Sequence, residues 1–259
     1  MICLTFDIEE FDCPLLYSQT LSFEQQMSIS KIGSIVILDL LQKKGVVATF
    51  FCTANFALHA PEIIQRIVNE GHEVASHGYY HAKFENKHLK ESKDVLEQIT
   101  GKTIIGFRMP NMRPIDSSAL QEAGYQYNSS LNPTYLPGNY NHLDKPRRIF
   151  YENGLYQIPA SVSVGLRIPL FWLALHNLPM NMYKFLCKQT IKKDGYLNLY
   201  LHPWEFTELS DPSIKLPFYI KRNSGKKLVD RLESLIDYFE SKNLSFDTLS
   251  SCVSVYARK

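Results

Sequence analysis

Two histidines, His77 and His81, lie four residues apart in the segment SHGYYHAKF (76–84). Imidazole nitrogens bind zinc and other first-row divalent metals, and catalytic zinc sites combine three protein ligands with an open coordination position. The His-x-x-x-His spacing alone decides little, because structural and surface histidines are common. A metal site therefore requires that other parts of the chain supply a carboxylate and catalytic groups.

Charged or imidazole side chains follow several apolar, strand-like runs at the point where each run ends. These residues are Asp7, Glu9, His77, His81, Arg108 and His202. In parallel α/β architectures the carboxyl ends of the strands meet at one rim, and active sites are built there. We therefore expect these acids, imidazoles and the guanidinium to converge on one rim.

The rest of the chain alternates strand-like runs with segments of helical period. Buried strands are predicted for ICLTFDIEE, VVATFFCTA, TIIGFRMP and GYLNLYLHPWEF, and amphipathic helices for HLKESKDVLEQITGK and SGKKLVDRLESLIDYFESKN. This alternation predicts a parallel sheet, either open or closed into a barrel. Because no internal repeat or linker interrupts the sequence, we expect a single domain over residues 1–259.

The composition excludes some partners and compartments. The net charge is +2, and no basic stripe with interleaved aromatic residues is present, so we expect no nucleic-acid partner. The five cysteines are scattered without a C-x-x-C pair, which favours reduced intracellular thiols over a disulfide framework. The opening MICLTFDIEEF has neither the basic nor the long apolar region of a signal peptide. We therefore expect a cytoplasmic protein.

The regular alternation fails at about residues 136–190, which are too long and too apolar for an ordinary connection. One hypothesis is a lid or an extra helix packed on the barrel. The other is peripheral membrane contact through the apolar stretch 164–179, with Arg147 and Arg148 meeting anionic groups. The stretch is too short to span a bilayer.

Five segments resemble polysaccharide deacetylases that contain the NodB-like homology domain, and they occur in the family's order: TFDIEE, ATFFCTANFALHAPEIIQRIVNEGHEVASHGYYH, ITGKTIIGFRMP, GYQYNSS and LYLHPWEF. The resemblance runs from Met1 to about Ser250. Its HPWE ending is most similar to a subgroup linked to exopolysaccharide or glycan assembly. It implies an α/β fold, a distorted (β/α) barrel with fewer than eight strands (seven expected), and metal-dependent hydrolysis of an N-acetyl group from an N-acetylated glycan.

The resemblance also implies a role for each matching residue. Asp7 falls on the general base, and His77 and His81 fall on the two metal-binding histidines. Arg108 belongs to the R-x-P motif, which lines the groove and orients the base; Pro110 completes that motif. His202 falls on the histidine that protonates the leaving group.

The opening motif departs from the family, where a second aspartate directly follows the base and binds the metal. Ile8 occupies that position here. Residues two apart in a strand face the same side, so Glu9 can join Asp7 in the site, and we assign Glu9 as the third ligand. Zn²⁺ is the expected metal, although other first-row divalent ions are possible. Glu10 points the other way and is expected to be a solvated carboxylate.

Other departures affect the surroundings of the site. Met112 replaces a glycine that usually follows the R-x-P motif, and the aspartate that tunes the acid histidine has only a weak candidate, Asp144. Trp204 is interpreted either as rim packing or as a platform for a sugar, and Asn128 as a residue that shapes the groove or a loop. The remaining histidines are interpreted as structural or surface residues: His59, His72, His88, His142 and His176.

Two alternatives to a sugar N-deacetylase remain open. One is a metal-independent, allantoinase-like cyclic-amide hydrolase of the same superfamily, and the other is a catalytically silent glycan-binding relative. The retained acid–His–His set favours the deacetylase over the first alternative. The presence of both Asp7 and His202 gives no support to the second.

Overall fold

The computed structural model describes residues 1–137, 140–211 and 213–258. Ten strands lie in these residues: β1 (Ile2–Ile8), β2 (Thr49–Cys52), β3 (Glu73–Ser76), β4 (Gly106–Phe107), β5 (Tyr127–Asn128), β6 (Tyr135–Leu136), β7 (Tyr140–Asn141), β8 (Phe150–Glu152), β9 (Leu155–Gln157) and β10 (Leu197–Leu201). Eight of them form one sheet in the order β10–β1–β2–β3–β4–β5–β9–β8, and β6 pairs with β7 separately.

The large sheet confirms the predicted α/β class. Every neighbouring pair from β10 to β9 is parallel, which gives seven parallel strands, and only β8 runs antiparallel to its neighbour. The eighth strand exceeds the expected seven because the chain reverses at Asn153 and Gly154. Both residues have positive φ, 47° and 75°, as a tight two-residue hairpin requires.

Ten α-helices connect or cover the strands in the described residues: α1 (Phe23–Lys44), α2 (Ala54–His59), α3 (Pro61–Asn69), α4 (Lys87–Thr100), α5 (Ser117–Glu122), α6 (Trp172–Asn177), α7 (Met180–Asp194), α8 (Phe218–Lys221), α9 (Lys226–Glu240) and α10 (Leu249–Ala257). Short 3₁₀ helices occupy Cys13–Tyr17, Pro110–Met112 and Pro203–Phe206. None of the described helices combines the length and the apolar character needed to cross a bilayer.

Helix α1 supports the segment that follows β10. Its start is fixed by a capping box between Ser22 and Gln25, and its end by Gly45, whose φ is +63°. At Gly33 an ideal Cβ would lie only 1.9 Å from the carbonyl oxygen of Pro203. Only glycine allows the 3₁₀ helix Pro203–Phe206 to lie this close to α1, and this contact positions the end of β10.

The barrel closes between β9 and β10 without a regular ladder. Ser161, which follows β9, donates its backbone N–H to the Asn198 carbonyl oxygen at 2.9 Å, and its hydroxyl accepts the N–H of Asn198 at 2.9 Å. The Asn198 side-chain amide donates to the carbonyl oxygens of Ile158 and Pro159. Because these contacts hold the two edges together, residues at the ends of distant strands share one rim.

The segment 136–190 is more regular than its sequence pattern indicates. It contributes β8, β9, α6 and most of α7, and its buried side chains join the main core, among them Leu155, Leu170, Leu175 and Tyr183. Strands β8 and β9 therefore join the large sheet, and helices α6 and α7 pack against the main core. Positions 138 and 139 of this segment lie outside the described residues.

The side chains proposed for membrane contact have other partners. Arg147 forms an ion pair with the buried carboxylate of Asp194, with Nη2 and Oδ1 2.5 Å apart. Phe171 and Trp172 are half-buried, and the most exposed apolar residue of 164–179 is Leu166, at 84%. Membrane contact through 164–179 stays a prediction, and the aromatic pair is not its exposed part.

Candidate metal and catalytic site

Three predicted ligands meet at the carboxyl rim of the sheet. Glu9 directly follows β1, and His77 follows β3, while His81 returns to the same point after a short loop. Glu9 Oε2 lies 3.2 Å from His77 Nε2 and 3.0 Å from His81 Nε2. One ligand atom from each residue lies within 4.8 Å of the others, so the three residues form a possible metal site.

The Nδ1 atoms of His77 and His81, which face away from Glu9, each contact a hydrogen-bond acceptor. His77 Nδ1 lies 2.9 Å from the Arg108 carbonyl oxygen, and His81 Nδ1 lies 2.7 Å from a carboxylate oxygen of Asp12. A carbonyl or an ionised carboxylate only accepts hydrogen bonds, so both Nδ1 atoms carry the proton. Both Nε2 atoms therefore face Glu9, and once they carry no proton their lone pairs can bind a metal, which is the arrangement that orients histidine ligands.

Glu9 itself fits a metal ligand. Its side chain is buried, and Oε2 accepts no hydrogen bond from any described residue, whereas buried carboxylate oxygens normally have a partner. Burial raises the pKa of Glu9, but the charge of His81 and the neighbouring imidazole of His77 lower it further, to about 2. An ionised carboxylate with an unused buried oxygen, facing two imidazole nitrogens, matches the donor set of a divalent first-row metal.

Asp7 and Arg108 form a buried ion pair beside this cluster. Arg108 Nη1 donates to Asp7 Oδ1 at 2.6 Å and to the Thr5 hydroxyl at 2.9 Å. Its remaining donors reach the Ser129 carbonyl and hydroxyl oxygens and the Asn198 side chain. Arg108 is fully buried, so this network fixes the direction of the Asp7 carboxylate.

His202 lies at the end of β10, and its Nδ1 contacts a carboxylate. Glu205 Oε1 accepts a hydrogen bond from His202 Nδ1 at 2.7 Å and from the His202 backbone N–H at 2.6 Å. Burial lowers the pKa of His202, but the hydrogen bond to Glu205 and the negative charges of Glu205, Glu9 and Asp7 together raise it. Trp204 stacks on the imidazole with ring centroids 5.0 Å apart, and Trp172 meets it edge-on at 5.4 Å. His202 therefore has a fixed ring whose Nε2 is available for proton transfer.

Two predictions about carboxylates are wrong. Glu10 is buried rather than solvated, because its side chain accepts hydrogen bonds from Thr53 Oγ1 at 2.9 Å and from Asn55 Nδ2. Asp144, the weak candidate for tuning the acid histidine, is exposed and faces Lys145. The carboxylate that does contact His202 is Glu205.

The weaker groove residues are placed as follows. Pro110 lies beside Gly78, whose φ of +80° is a backbone conformation that favours glycine. Met112 also has a positive φ, 52°, in the backbone region that glycine adopts most easily. Asn128 is buried and bonded to its neighbours, and Trp204 is only 2% exposed, which favours packing over a sugar platform.

Sequence reasoning missed several contributors to the site. Glu205 was recoverable, because it lies in the quoted HPWE motif three residues after His202, where a capping carboxylate is expected. Asp12 and Trp172 carry no comparable signal, because neither lies in the five segments on which the resemblance was based. His176 was interpreted as structural, yet it contacts Glu205.

Comparison with known proteins gives a consistent family. Residues 1–128 match the family described as Polysaccharide deacetylase. The chain is 33% identical over 63 residues to the peptidoglycan-N-acetylmuramic acid deacetylase PdaA of Bacillus subtilis, which is 24% of each chain. It is 31% identical over 110 residues to a peptidoglycan deacetylase of Helicobacter pylori, which is 39% of this chain and 38% of that protein. The matches thus span well under half of these two relatives.

A solved structure extends the likeness in fold to the whole chain. A probable polysaccharide deacetylase from Pseudomonas aeruginosa PAO1 superposes with a TM-score of 0.70 and 17% identity, over 100% of this chain and 91% of that one. The matched sequence region contains the ends of β1, β3 and β4, which carry the candidate base, the candidate metal ligands and Arg108. Residues 1–128, just under half of the chain, thus match the polysaccharide deacetylase family, and the whole chain shares the fold of this solved structure.

Proposed function

We propose that this chain is a metal-dependent hydrolase that removes an N-acetyl group from an N-acetylated glycan. The observation that carries the proposal is the convergence of three kinds of group on one rim. The Glu9–His77–His81 cluster offers metal ligands, Asp7 offers a base, and His202 offers an acid. Amide hydrolysis requires these components, because water must be activated and the amine leaving group must be protonated.

Glu9, His77 and His81 are the residues that would hold the metal. When bound, a divalent metal polarises the acetyl carbonyl and lowers the pKa of water. Asp7 accepts the proton of the attacking water, and Arg108 holds that carboxylate in place through the 2.6 Å contact.

His202 supplies the proton to the departing sugar nitrogen. Its Nδ1 is engaged by Glu205, so Nε2 is the atom that transfers the proton. Among the proposed metal ligands, the base, the acid and Arg108, only two side chains are more than a tenth exposed: His81, at 11%, and His202, at 13%. The others are less exposed: Asp7, Glu9, His77 and Arg108. The substrate therefore enters from the side of these two histidines.

The substrate class rests on the relatives together with the site. Two of them are named for removing acetyl groups from peptidoglycan, and we extend only the broader class, an N-acetylated glycan, to this chain. Zn²⁺ is the proposed metal because two imidazoles and one carboxylate are a common catalytic zinc set. An exopolysaccharide or another assembly intermediate, as the HPWE ending suggests, is the narrower proposal.

Elemental analysis and acetate release test this function together. We expect about one divalent ion per chain, and acetate release from chitooligosaccharides or peptidoglycan fragments but no hydrolysis of allantoin. The double variant His77→Ala/His81→Ala should lose the metal and the activity. His142→Gln is the matched control, because His142 contacts a backbone carbonyl outside the site and should keep both.

Three results would contradict the proposal in different ways. Stoichiometric metal in the double histidine variant would place the metal elsewhere. Hydrolysis of allantoin without acetate release would favour the cyclic-amide hydrolase. Tight binding of glycans to the metal-loaded protein, with no acetate released from any of them, would favour the silent binding protein.

A further inference from the structure

A second histidine lies behind Glu205, on the side away from His202. His176 is on α6, and both it and Glu205 are completely buried. His176 Nε2 lies 2.9 Å from Glu205 Oε2, and His176 Nδ1 lies 2.7 Å from the backbone carbonyl oxygen of Arg222. The Asn223 side chain donates to the His176 carbonyl oxygen, which fixes the backbone of the helix at this point.

These two contacts determine how many protons the pair holds. The Arg222 carbonyl can only accept, so His176 Nδ1 must carry a proton. A proton must then also lie between Nε2 and Glu205 Oε2, because two facing lone pairs at 2.9 Å in a buried site would repel each other. The pair is therefore either imidazolium with carboxylate or neutral imidazole with a protonated carboxyl group, and its net charge is zero in both forms.

The other oxygen of Glu205 already serves His202, accepting both its backbone N–H and its Nδ1–H. One carboxylate thus joins two imidazoles, with one oxygen for each ring. We infer that His176 is a positioning residue that shares one proton with Glu205 and thereby sets the negative charge that Glu205 presents to His202.

Other titratable groups around the three residues do not change this assignment. Asp7 and Glu9 act on His202 by charge, and every variant considered below keeps them. Burial raises the pKa of the Cys13 thiol to about 12 and raises the pKa of the Tyr183 and Tyr200 hydroxyls. These three groups are therefore neutral near pH 7. Arg231 points its guanidinium at the carbonyl oxygens of Leu175 and Leu178.

The shared proton has a consequence for catalysis that rests on the proposed function. A bare carboxylate would hold His202 in its protonated form to higher pH, and a general acid works best with a pKa near the operating pH. His176 cancels part of that charge, so it keeps the proton of His202 transferable. The shared proton itself can be tested without substrate or metal.

NMR of the chelator-treated wild-type protein measures the protonation states directly. Histidine-selective ¹⁵N labelling reports on the imidazole nitrogens, and ¹³C detection reports on the glutamate carboxyl groups. The resonances of His176 and His202 are assigned by their loss in His176→Gln and His202→Gln. At pH 7 we expect Nδ1 of His176 to be protonated, and one further proton on either its Nε2 or the Glu205 carboxyl group. A neutral His176 beside an ionised Glu205 would overturn the inference, whatever the variants do.

The variants test the effect on His202. Gln at position 176 can still donate an N–H to Glu205 but cannot share a proton, so the titration midpoint of His202 should rise by about one pH unit or more. Glu205→Gln should lower the same midpoint. His88→Gln removes another buried histidine, whose Nδ1 accepts the backbone N–H of Glu85, and should leave the midpoint of His202 unchanged.

If the titration midpoint of His202 is unchanged in His176→Gln but lowered in Glu205→Gln, His176 only packs against Glu205 and the inference is overturned. Because these titrations need neither acetate release nor a metal, they stand or fall separately from the proposed enzymatic activity.

Discussion

The buried pair of Asp7 and Arg108 should dominate the stability of the rim. Arg108→Met removes the guanidinium and leaves Asp7 as a buried charge, and breaking such a pair from one side costs about 3–5 kcal/mol. Arg108 is also packed flat against the Phe51 ring, with its guanidinium carbon 4.0 Å from the centroid, so methionine keeps part of the packing but loses this contact. We therefore expect a loss in the upper half of that range.

A double-mutant cycle separates the ion pair from the packing. Asp7→Asn alone should lower the free energy of unfolding by less than Arg108→Met does, because Arg108 keeps its hydrogen bonds to Thr5 and Ser129. The double variant Asp7→Asn/Arg108→Met has neither charge. Its loss should therefore be smaller than the sum of the single losses by about 2 kcal/mol or more, within the range for residues in direct contact.

Urea unfolding followed by circular dichroism measures these losses. Arg66→Met is the matched control, because Arg66 is an arginine that pairs with the exposed Asp39 at 2.7 Å on the surface. Surface pairs contribute about 0–1 kcal/mol, so this variant should unfold almost like the wild type. If Arg108→Met costs no more than Arg66→Met, or if the losses in the cycle simply add, the buried-charge argument is refuted.

Three further outcomes follow from the site. Asp7→Asn should abolish turnover and keep the bound metal, whereas Glu9→Gln should mainly weaken metal affinity. Acetate release measures the first effect and metal content the second. The opposite pattern would make Glu9 the base and Asp7 the metal ligand. His202→Ala should slow amide hydrolysis by about 10²–10⁴-fold and slow an activated ester much less, because the ester leaving group needs no proton; equal losses would count against a general acid. Burial lowers the pKa of His81, but Glu9 and Asp12 raise it further, to about 9, so His81 is protonated at pH 7 in the metal-free protein. Metal binding should then release about one proton, and the release should fall to zero as the pH rises past 9; calorimetry in buffers of different ionisation enthalpy measures it.

The candidate metal ligands Glu9, His77 and His81 were predictable because each lies in a short sequence pattern that can be interpreted without knowledge of the rest of the fold. A buried strand followed by a polar residue predicts a rim position, and the two-residue period of a strand separates Glu9 from Ile8. The structure places Glu9 opposite His77 and His81 and leaves Ile8 fully buried in the core. None of these inferences needs the pairing order of the sheet, only the rule that parallel strands end at one edge.

The surroundings of His202 depend on contacts that no local pattern encodes. β9 is three residues long, and the edge beside it is closed by Ser161 and Asn198, where a side-chain amide replaces the ladder. Strand periodicity is therefore lost between the end of β9 at Gln157 and the start of α6 at Trp172. That helix then brings Trp172 against His202 and His176 against Glu205, across 29 or 30 residues of sequence. The sequence of α6, apolar with a single histidine, is typical of a helix packed in a core. The inferred proton sharing between His176 and Glu205 depends on the contact of His176 Nδ1 with the Arg222 carbonyl, which lies far away in the sequence.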